Sequence, residues 1–373
     1  MQFSPLSHIR QRVRVGAPLP FSIRDHDRTL LLASGHVVET DEQLEALFAR
    51  GALVDVAELQ TPTDRVRQAT AAELPGLWSG CLDRLADTLR GCEEEGFADA
   101  LDAHTSPVLA LVERDKDLAI FQVLRQDGNA MLQYGVNHST HSAITGFLIA
   151  QRLGWSADDA LRVFKAGLTM NLSMLELQGQ LAQQTTPLSA EQRQAILAHP
   201  AQSRRLLELS GVSDPEWLDA VDHHHVAPDG SGYPLAQRDP GNIASLVRRA
   251  DIYTAKLSPR AGRQSLAADK AGRMMFMQEP GDPMVLALVK EFGVYPPGCA
   301  VRLMSGESGI VVKRGDKMMS PLVAVLASAT GVQLNVPVRR DTAKPGQAVH
   351  SVLSGESNAF RLPPEQLAAL LAG

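Results

Sequence analysis

"SADDALRVFKAGL", residues 156–168, is the stretch from which the fold is read. Ser156 followed three residues later by Asp159 is a helix N-cap pattern, and Leu161, Phe164 and Leu168 then return at helical spacing. Working outward, Ser189 with Gln192 caps a second helix. Asp214 followed by Pro215 opens a third, which carries Trp217, Leu218 and Val221. Residues 138–258 therefore read as a series of helices, and residues 76–127, with "LDRLADTLRGC", continue the pattern upstream. The first sixty residues differ. "RTLLLASGHVV" holds two short apolar runs around a Ser34-Gly35 turn, and "TDEQLEALFARG" is a helix between a Thr40/Gln43 cap and a Gly51 stop. Residues 61–75 are polar, contain Pro62 and Pro75, and read as a linker. Beyond residue 296, "AVRLM", "GIVVKRG", "PLVAVLAS" and "VQLNVPV" are short strands between turn residues, which predicts a small β-barrel-like unit. The expected architecture is mainly α. A small α/β unit (1–60) leads through a linker and helices (61–127) to a helical domain (128–295), and a small β-rich unit (296–373) follows.

Hydrophobic residues make up 44% of the 373 and charged residues 21%, so a sizeable core can be buried. The net charge of −6 and the absence of a basic run disfavour a nucleic acid polymer or an anionic membrane as partner. A few local arginines are enough to meet a small anion. Cys81, Cys92 and Cys299 are scattered and form neither a disulfide framework nor a zinc knuckle. The first twenty residues carry Arg10, Arg12 and Arg14 without an apolar run, and no stretch reaches the roughly 18 apolar residues of a membrane span. A cytoplasmic protein without a membrane span is expected.

Six of the 11 histidines lie between residues 138 and 225. His138 and His141 share a helix face at i, i+3 spacing, and His199 is expected to end its helix before Pro200. His223, His224 and His225 run directly into "VAPDGSGYP", and Asp251 sits on the next helix. A lone histidine is more often a core or surface residue. A cluster of imidazoles and carboxylates on neighbouring helices is a donor set for iron, manganese or zinc. In the loop, Gly230 and Gly232 allow close backbone approach, Tyr233 offers a ring and a hydroxyl, and Pro234 stiffens the exit. Taken alone, Asp229 to Gly232 is a tight surface turn. Arg260 suits a phosphate by its bidentate geometry, against the plainer reading of an exposed arginine. "MMFMQ" at 274–278 reads as helix packing.

Four segments in order resemble the HD-GYP domain, the metal-dependent cyclic di-GMP phosphodiesterase family. "YGVNHSTHSAITGFLIAQRLGW" looks like the family's first helix, and "LSAEQRQAILAHP" like the segment that ends in a ligand histidine. "HHVAPDGSGYP" is similar to the hallmark loop, with Gly232-Tyr233-Pro234 as the GYP, and "RRADIYTAKLSPR" to the closing helix. The resemblance covers about residues 130 to 290. It implies an HD-GYP-like helical domain with metal ligands at His138, His199, His224, His225 and Asp251. It also implies ligand contacts at Asp229, Gly230, Gly232, Tyr233, Pro234 and Arg260. His223 is expected to point away from the paired histidines.

The defining His-Asp pair is missing. Where the family has His-Asp-Ile-Gly-Lys, this chain has Met170-Asn171-Leu172-Ser173-Met174. Tyr134 stands where some members carry an acidic ligand, Val226-Ala227 replaces Glu-Arg, and Thr254 and Gly262 also depart. Asn171 cannot bridge metals as an anion, Met170 offers a soft thioether, and Met174 removes a cation. His199, His224 and His225 remain able to hold one divalent metal with an open position, while His138 and Asp251 form an incomplete second site. The expectation is a catalytically impaired cyclic di-GMP sensor or signalling scaffold, with cyclic di-GMP and a signalling protein as partners. Nucleotide recognition would rest on Tyr233 and Arg260. The alternatives are a phosphodiesterase with a reduced metal site and an interaction module without ligand.

Overall fold

A computed structural model describes residues 2–125, 131–234, 239–353, 360 and 362–372. By internal contacts the chain divides into two units between Gln68 and Ala69. In the first unit, strands β1 (Phe3–Pro5), β2 (Ile23–Arg24), β3 (Leu30–Leu32) and β4 (Leu53–Asp55) form an antiparallel sheet in the order β1-β4-β2-β3. Helix α1 (Asp41–Ala49) begins at Thr40, whose side chain accepts from Gln43 N–H. Leu6, Leu19, Phe21, Ile23, Leu44 and Val54 form its small core.

Two short helices, α2 (Val56–Leu59) and α3 (Pro62–Gln68), close this unit, and α4 (Leu74–Arg90) opens the second. The polar segment 61–75 is therefore largely helical, and its polar residues are caps. Thr61 N–H donates to the Asp64 carboxylate while Asp64 N–H donates to the Thr61 hydroxyl. Thr70 N–H donates to Glu73 in the same way. Pro62 and Pro75 sit in first helical turns, where the missing N–H has no partner to lose.

The second unit continues with α5 (Phe97–Arg114), α6 (Lys116–Leu124), α7 (Met131–Arg152), α8 (Ala157–Thr169) and α9 (Leu175–Gln183). Then come α10 (Ala190–Leu209), α11 (Pro215–His223), α12 (Gly241–Leu257), α13 (Ala268–Gln278) and α14 (Pro283–Phe292). The caps read from sequence are present. Asp159 N–H donates to Ser156, Ser189 and Gln192 form a reciprocal capping box, and Asp214 accepts from Glu216 and Trp217. Helix α7 lies at the centre, against α8, α9, α12 and α14. Glycine sets how close its neighbours come: a Cβ at Gly135 would lie 2.4 Å from the Leu175 carbonyl oxygen. Strands β5 (Ala300–Leu303), β6 (Ser308–Lys313), β7 (Leu322–Ala327), β8 (Gln333–Asp341) and β9 (Val349–Val352) form an antiparallel sheet in the order β8-β7-β6-β5-β9. Helix α15 (Pro364–Ala372) follows, packed on α4 and β8. The mainly helical fold with small β-containing units toward each end is the one expected. Among the described residues, no helix is long and apolar enough to cross a membrane.

One helix runs on where the sequence reading stopped it. α10 continues through Pro200 to Leu209. Proline removes the hydrogen bond to the carbonyl four residues back, here Ile196. That carbonyl accepts instead from His199 Nδ1 at 2.6 Å.

Candidate metal centre

The Ile196 bond fixes the chemistry of His199. A carbonyl only accepts, so Nδ1 carries the proton and Nε2 of the neutral ring is a bare lone pair. His224 is arranged alike from another helix. It caps the C-terminus of α11, and its Nδ1 donates to the Val221 carbonyl at 2.6 Å, one of the carbonyls that a helix end leaves unpaired. The two Nε2 atoms then face each other at 3.1 Å. Two lone pairs at that distance repel unless a proton or a cation lies between them. Burial, followed by the charge of His225, pushes the His199 pKa down to about 4. Burial also holds His224 well below the ordinary imidazole value. At neutral pH no proton is available to fill the gap.

A cation fits it. His225 brings a third ring, and one nitrogen from each of His199, His224 and His225 lies within 4.8 Å of the other two. Two nitrogens bound to a tetrahedral ion at the usual zinc distance stand about 3.3 Å apart, close to the spacing of the facing pair. His199 and His224 are buried, whereas His225 is half-buried and marks the open side. Nδ1 bonded to a main-chain carbonyl with Nε2 free is the orientation in which a protein holds a ligating histidine.

The other expected ligands are arranged differently. His138 Nε2 and Asp251 Oδ1 are 2.7 Å apart and bonded to each other. Burial works to raise the Asp251 pKa, yet the hydrogen bond and charge of His138, with His225 and His224 beyond, hold it below the usual carboxylate range. Asp251 is thus the anion facing the triad. His138 Nδ1 is buried without a hydrogen-bond partner among the described residues. His141 is buried beside His138, and desolvation takes its pKa down to about 3, so it stays neutral. His223 lines a separate cleft of about 390 Å³ with Asp219 and Asp239.

The GYP loop folds back onto the triad. Tyr233 N–H donates to the His225 carbonyl at 3.2 Å, and the two rings stack at 4.5 Å with 26° between their planes. Gly232 makes this possible, because a Cβ there would lie 2.1 Å from the His225 carbonyl oxygen. One face of Tyr233 is therefore occupied by His225. Asp229 behaves as the turn residue of the plainer reading: it accepts from both Ser231 N–H and Ser231 Oγ. Gly230 takes φ +79° in that turn and Pro234 is exposed at its end. Arg260 is exposed, and its Nε donates to the Tyr134 hydroxyl at 2.9 Å. Tyr134 in turn stacks on His138 at 6.1 Å.

Met170, Asn171 and Met174 are 0%, 2% and 9% exposed, around a 3-10 turn (Leu172–Met174) that packs on α10. Ser173 ties this turn to the triad. Its hydroxyl donates to the His199 carbonyl at 3.1 Å, and its N–H donates to Ser203 Oγ at 3.2 Å. Val226 and Ala227 are core residues, 0% and 2% exposed. Sequence reasoning named Tyr134 and Ser173 only as departures from the family pattern and missed their contacts, and it missed the Ile196 carbonyl altogether. The last had a visible signal, a histidine directly before a proline inside a helical pattern.

No family model matches the chain. It is 30% identical over 188 residues to cyclic di-GMP phosphodiesterase PA4108 of Pseudomonas aeruginosa, covering 49% of this chain and 45% of that one. It is 28% identical over 152 residues to 3′3′-cGAMP-specific phosphodiesterase 3 of Vibrio cholerae, covering 39% of this chain and 32% of the other. The chain thus spans less than half the length of these curated relatives. Its fold is similar to that of Bd1817, an HDGYP protein from Bdellovibrio bacteriovorus, with a TM-score of 0.50, 13% identity, and coverage of 78% of this chain and 98% of that one. The four motifs in order, the two sequence relatives and the fold thus all liken this chain to HD-GYP domain proteins.

Proposed function

We propose that this protein is a catalytically impaired cyclic di-GMP sensor, which holds one divalent metal on His199, His224 and His225 and passes the bound state to a signalling partner. The observation that carries the reading is the contrast on either side of α10. Three imidazoles converge from two elements. The turn packed against them presents Met170, Asn171 and Met174, all buried. A metal at the triad would attract and polarise a phosphate oxygen. The chain's own residues do the rest of the binding. Arg260, anchored at Nε by Tyr134, keeps its terminal nitrogens for a phosphate, and Tyr233 keeps one ring face for a base. Asp251 is the carboxylate nearest to acting as a general base, but it is committed to His138 and strongly acidic, so it is a poor proton acceptor.

Metal content, cyclic di-GMP affinity and hydrolysis measured on one preparation test the proposal. The expected result is about one metal per chain, saturable binding and turnover far below that of an intact family member. Turnover matching an intact member would overturn it, as would a folded protein that binds no cyclic di-GMP. A second reading, slow hydrolysis at a mononuclear site, is favoured by the half-buried edge at His225, which leaves room for a water beside three imidazoles. Product detection separates the two.

A further inference from the structure

A cavity of about 690 Å³ lies in the second unit between α13, α14 and the β6–β7 side of the sheet, away from the histidines. Arg152, at the C-terminal end of α7, lines it. His138 lies fourteen residues earlier on the same helix, about 21 Å along its axis.

The cavity carries a built anion site. Glu291 is 3% exposed and holds two guanidiniums. Arg152 donates to it through Nε, and Arg314 Nη1 reaches its main-chain oxygen at 2.7 Å. Arg314 Nε is anchored on Asp117. These bonds fix both guanidiniums and leave the terminal nitrogens of Arg152 and Nη2 of Arg314 without a partner among the described residues. Arg273 and Lys290 stand exposed in the same lining, also without a partner among the described residues. Asp269 is the carboxylate of the lining, and Glu291 and Asp117 back two of the four cations, so among the described residues four cations meet three carboxylates. The remaining wall is largely apolar, with Val289, Val294 and Met318 beside three aromatic rings. Phe276 is 40% exposed, Tyr295 is half-buried, and Phe292 is fixed on the floor edge-on to Tyr253 at 4.8 Å. The volume is that of a small-molecule pocket. Prepositioned cations suit a multiply charged group, and open aromatic rings suit a flat apolar body.

We propose that this cleft is a second ligand site, which binds a nucleoside phosphate with its phosphate on Arg152 and Arg314 and its base against Phe276 and Tyr295. Arg273 and Lys290 draw the ligand in. The site shares no residue with the histidine centre and stands independently of the function proposed for it.

Calorimetric titration of the full chain with guanosine 5′-monophosphate and adenosine 5′-monophosphate tests this, with inorganic phosphate and guanosine as partial probes. At least one nucleotide should bind one-to-one, tenfold or more tighter than either partial probe. The double variant Arg273→Glu/Lys290→Glu changes only exposed side chains and should weaken that binding tenfold or more, while His225→Ala leaves it unchanged. Thermal unfolding checks that each variant is folded. The proposal is overturned if neither nucleotide binds the folded parent at millimolar concentration. It is also overturned if inorganic phosphate binds as well as the nucleotide, or if His225→Ala abolishes binding that the double variant retains.

Discussion

Gly232→Ala isolates the contact that joins the GYP loop to the histidine triad. Gly232 does not have a positive φ, so alanine carries no backbone penalty of its own there. What it meets is backbone: the His225 carbonyl oxygen at 2.1 Å and the Ala227 nitrogen at 2.6 Å. A carbon and a carbonyl oxygen in contact normally stand about 3.3 Å apart or more, so the strands of the loop must separate by about 1.2 Å. Overpacking of this kind costs about 1–3 kcal/mol, and loss of the Tyr233–His225 main-chain hydrogen bond adds about 1 kcal/mol. A loss of about 2–4 kcal/mol corresponds to a fall of about 3–6 °C in melting temperature for a unit of this size. If the loop detaches to avoid the strain, His225 loses the stacked ring that orients it, and metal affinity falls instead. Gly272→Ala is the control, because its Cβ meets only Val289 Cγ2 at 3.5 Å in the interior of α13 and should be neutral or stabilising. Thermal unfolding and metal titration of the three proteins decide the matter. A Gly232→Ala protein within 1 °C of the parent, by order of magnitude, and with unchanged metal affinity refutes the account of the loop.

Three further outcomes follow from the same geometry. In metal-free protein, His199 and His141 have folded pKa values of about 4 and about 3, below the unfolded value near 6.5, so the unfolded state binds more protons between these limits. Stability should be full above about pH 6.5 and fall on acidification, with His199 alone withdrawing on the order of 3 kcal/mol by pH 4; denaturant midpoints that stay flat from pH 7.5 to 5 refute this. Pro200→Ala restores an N–H that competes with His199 Nδ1 for the Ile196 carbonyl, so it should raise the melting temperature of the metal-free chain, read by thermal unfolding, while lowering metal affinity about tenfold, read by titration against a chelator. Met170→His with Asn171→Asp should raise metal content from about one toward two per chain by elemental analysis, and no increase in a folded double variant places the block elsewhere, at Tyr134 or in the His138–Asp251 pair.

Much of the helical unit was legible because its helix starts are written in short-range chemistry. Ser156, Ser189 and Asp214 each meet the backbone N–H that their spacing selects. Proline misled twice for the same reason. Its effect depends on whether the lost hydrogen bond had a partner. At Pro62 and Pro75 none was lost, so the expected linker carries helical turns, and the boundary between the two units falls within it at Gln68–Ala69. At Pro200 one was lost and His199 replaced it, so the helix continued. The triad could be named from the motif order, but ring orientation could not. It is set by carbonyls at Ile196 and Val221, which every sequence contains. The partners of His138 and Arg260 were hidden too. Asp251 is 113 residues from His138, and Tyr134 is 126 residues from Arg260.

The changes at Met170, Asn171 and Met174 act on electrostatics more than on shape. All three are packed into the core, and the helical scaffold around them is intact. What is gone is anionic charge between prospective ions. Two divalent ions about 4 Å apart repel by on the order of 16 kcal/mol at an effective dielectric of 20, so a bridging carboxylate is what makes such a pair tenable. Among the described residues, Asp251 is the one carboxylate facing the triad, and it is already engaged by His138. Three neutral imidazoles and a paired aspartate can balance part of one dication, and they leave the centre net positive. A net positive centre attracts a phosphodiester without holding a second ion to ionise water against it. Binding without rapid turnover is the outcome expected under the proposed function. Restoring the carboxylate at Asn171 is the perturbation to which it should respond.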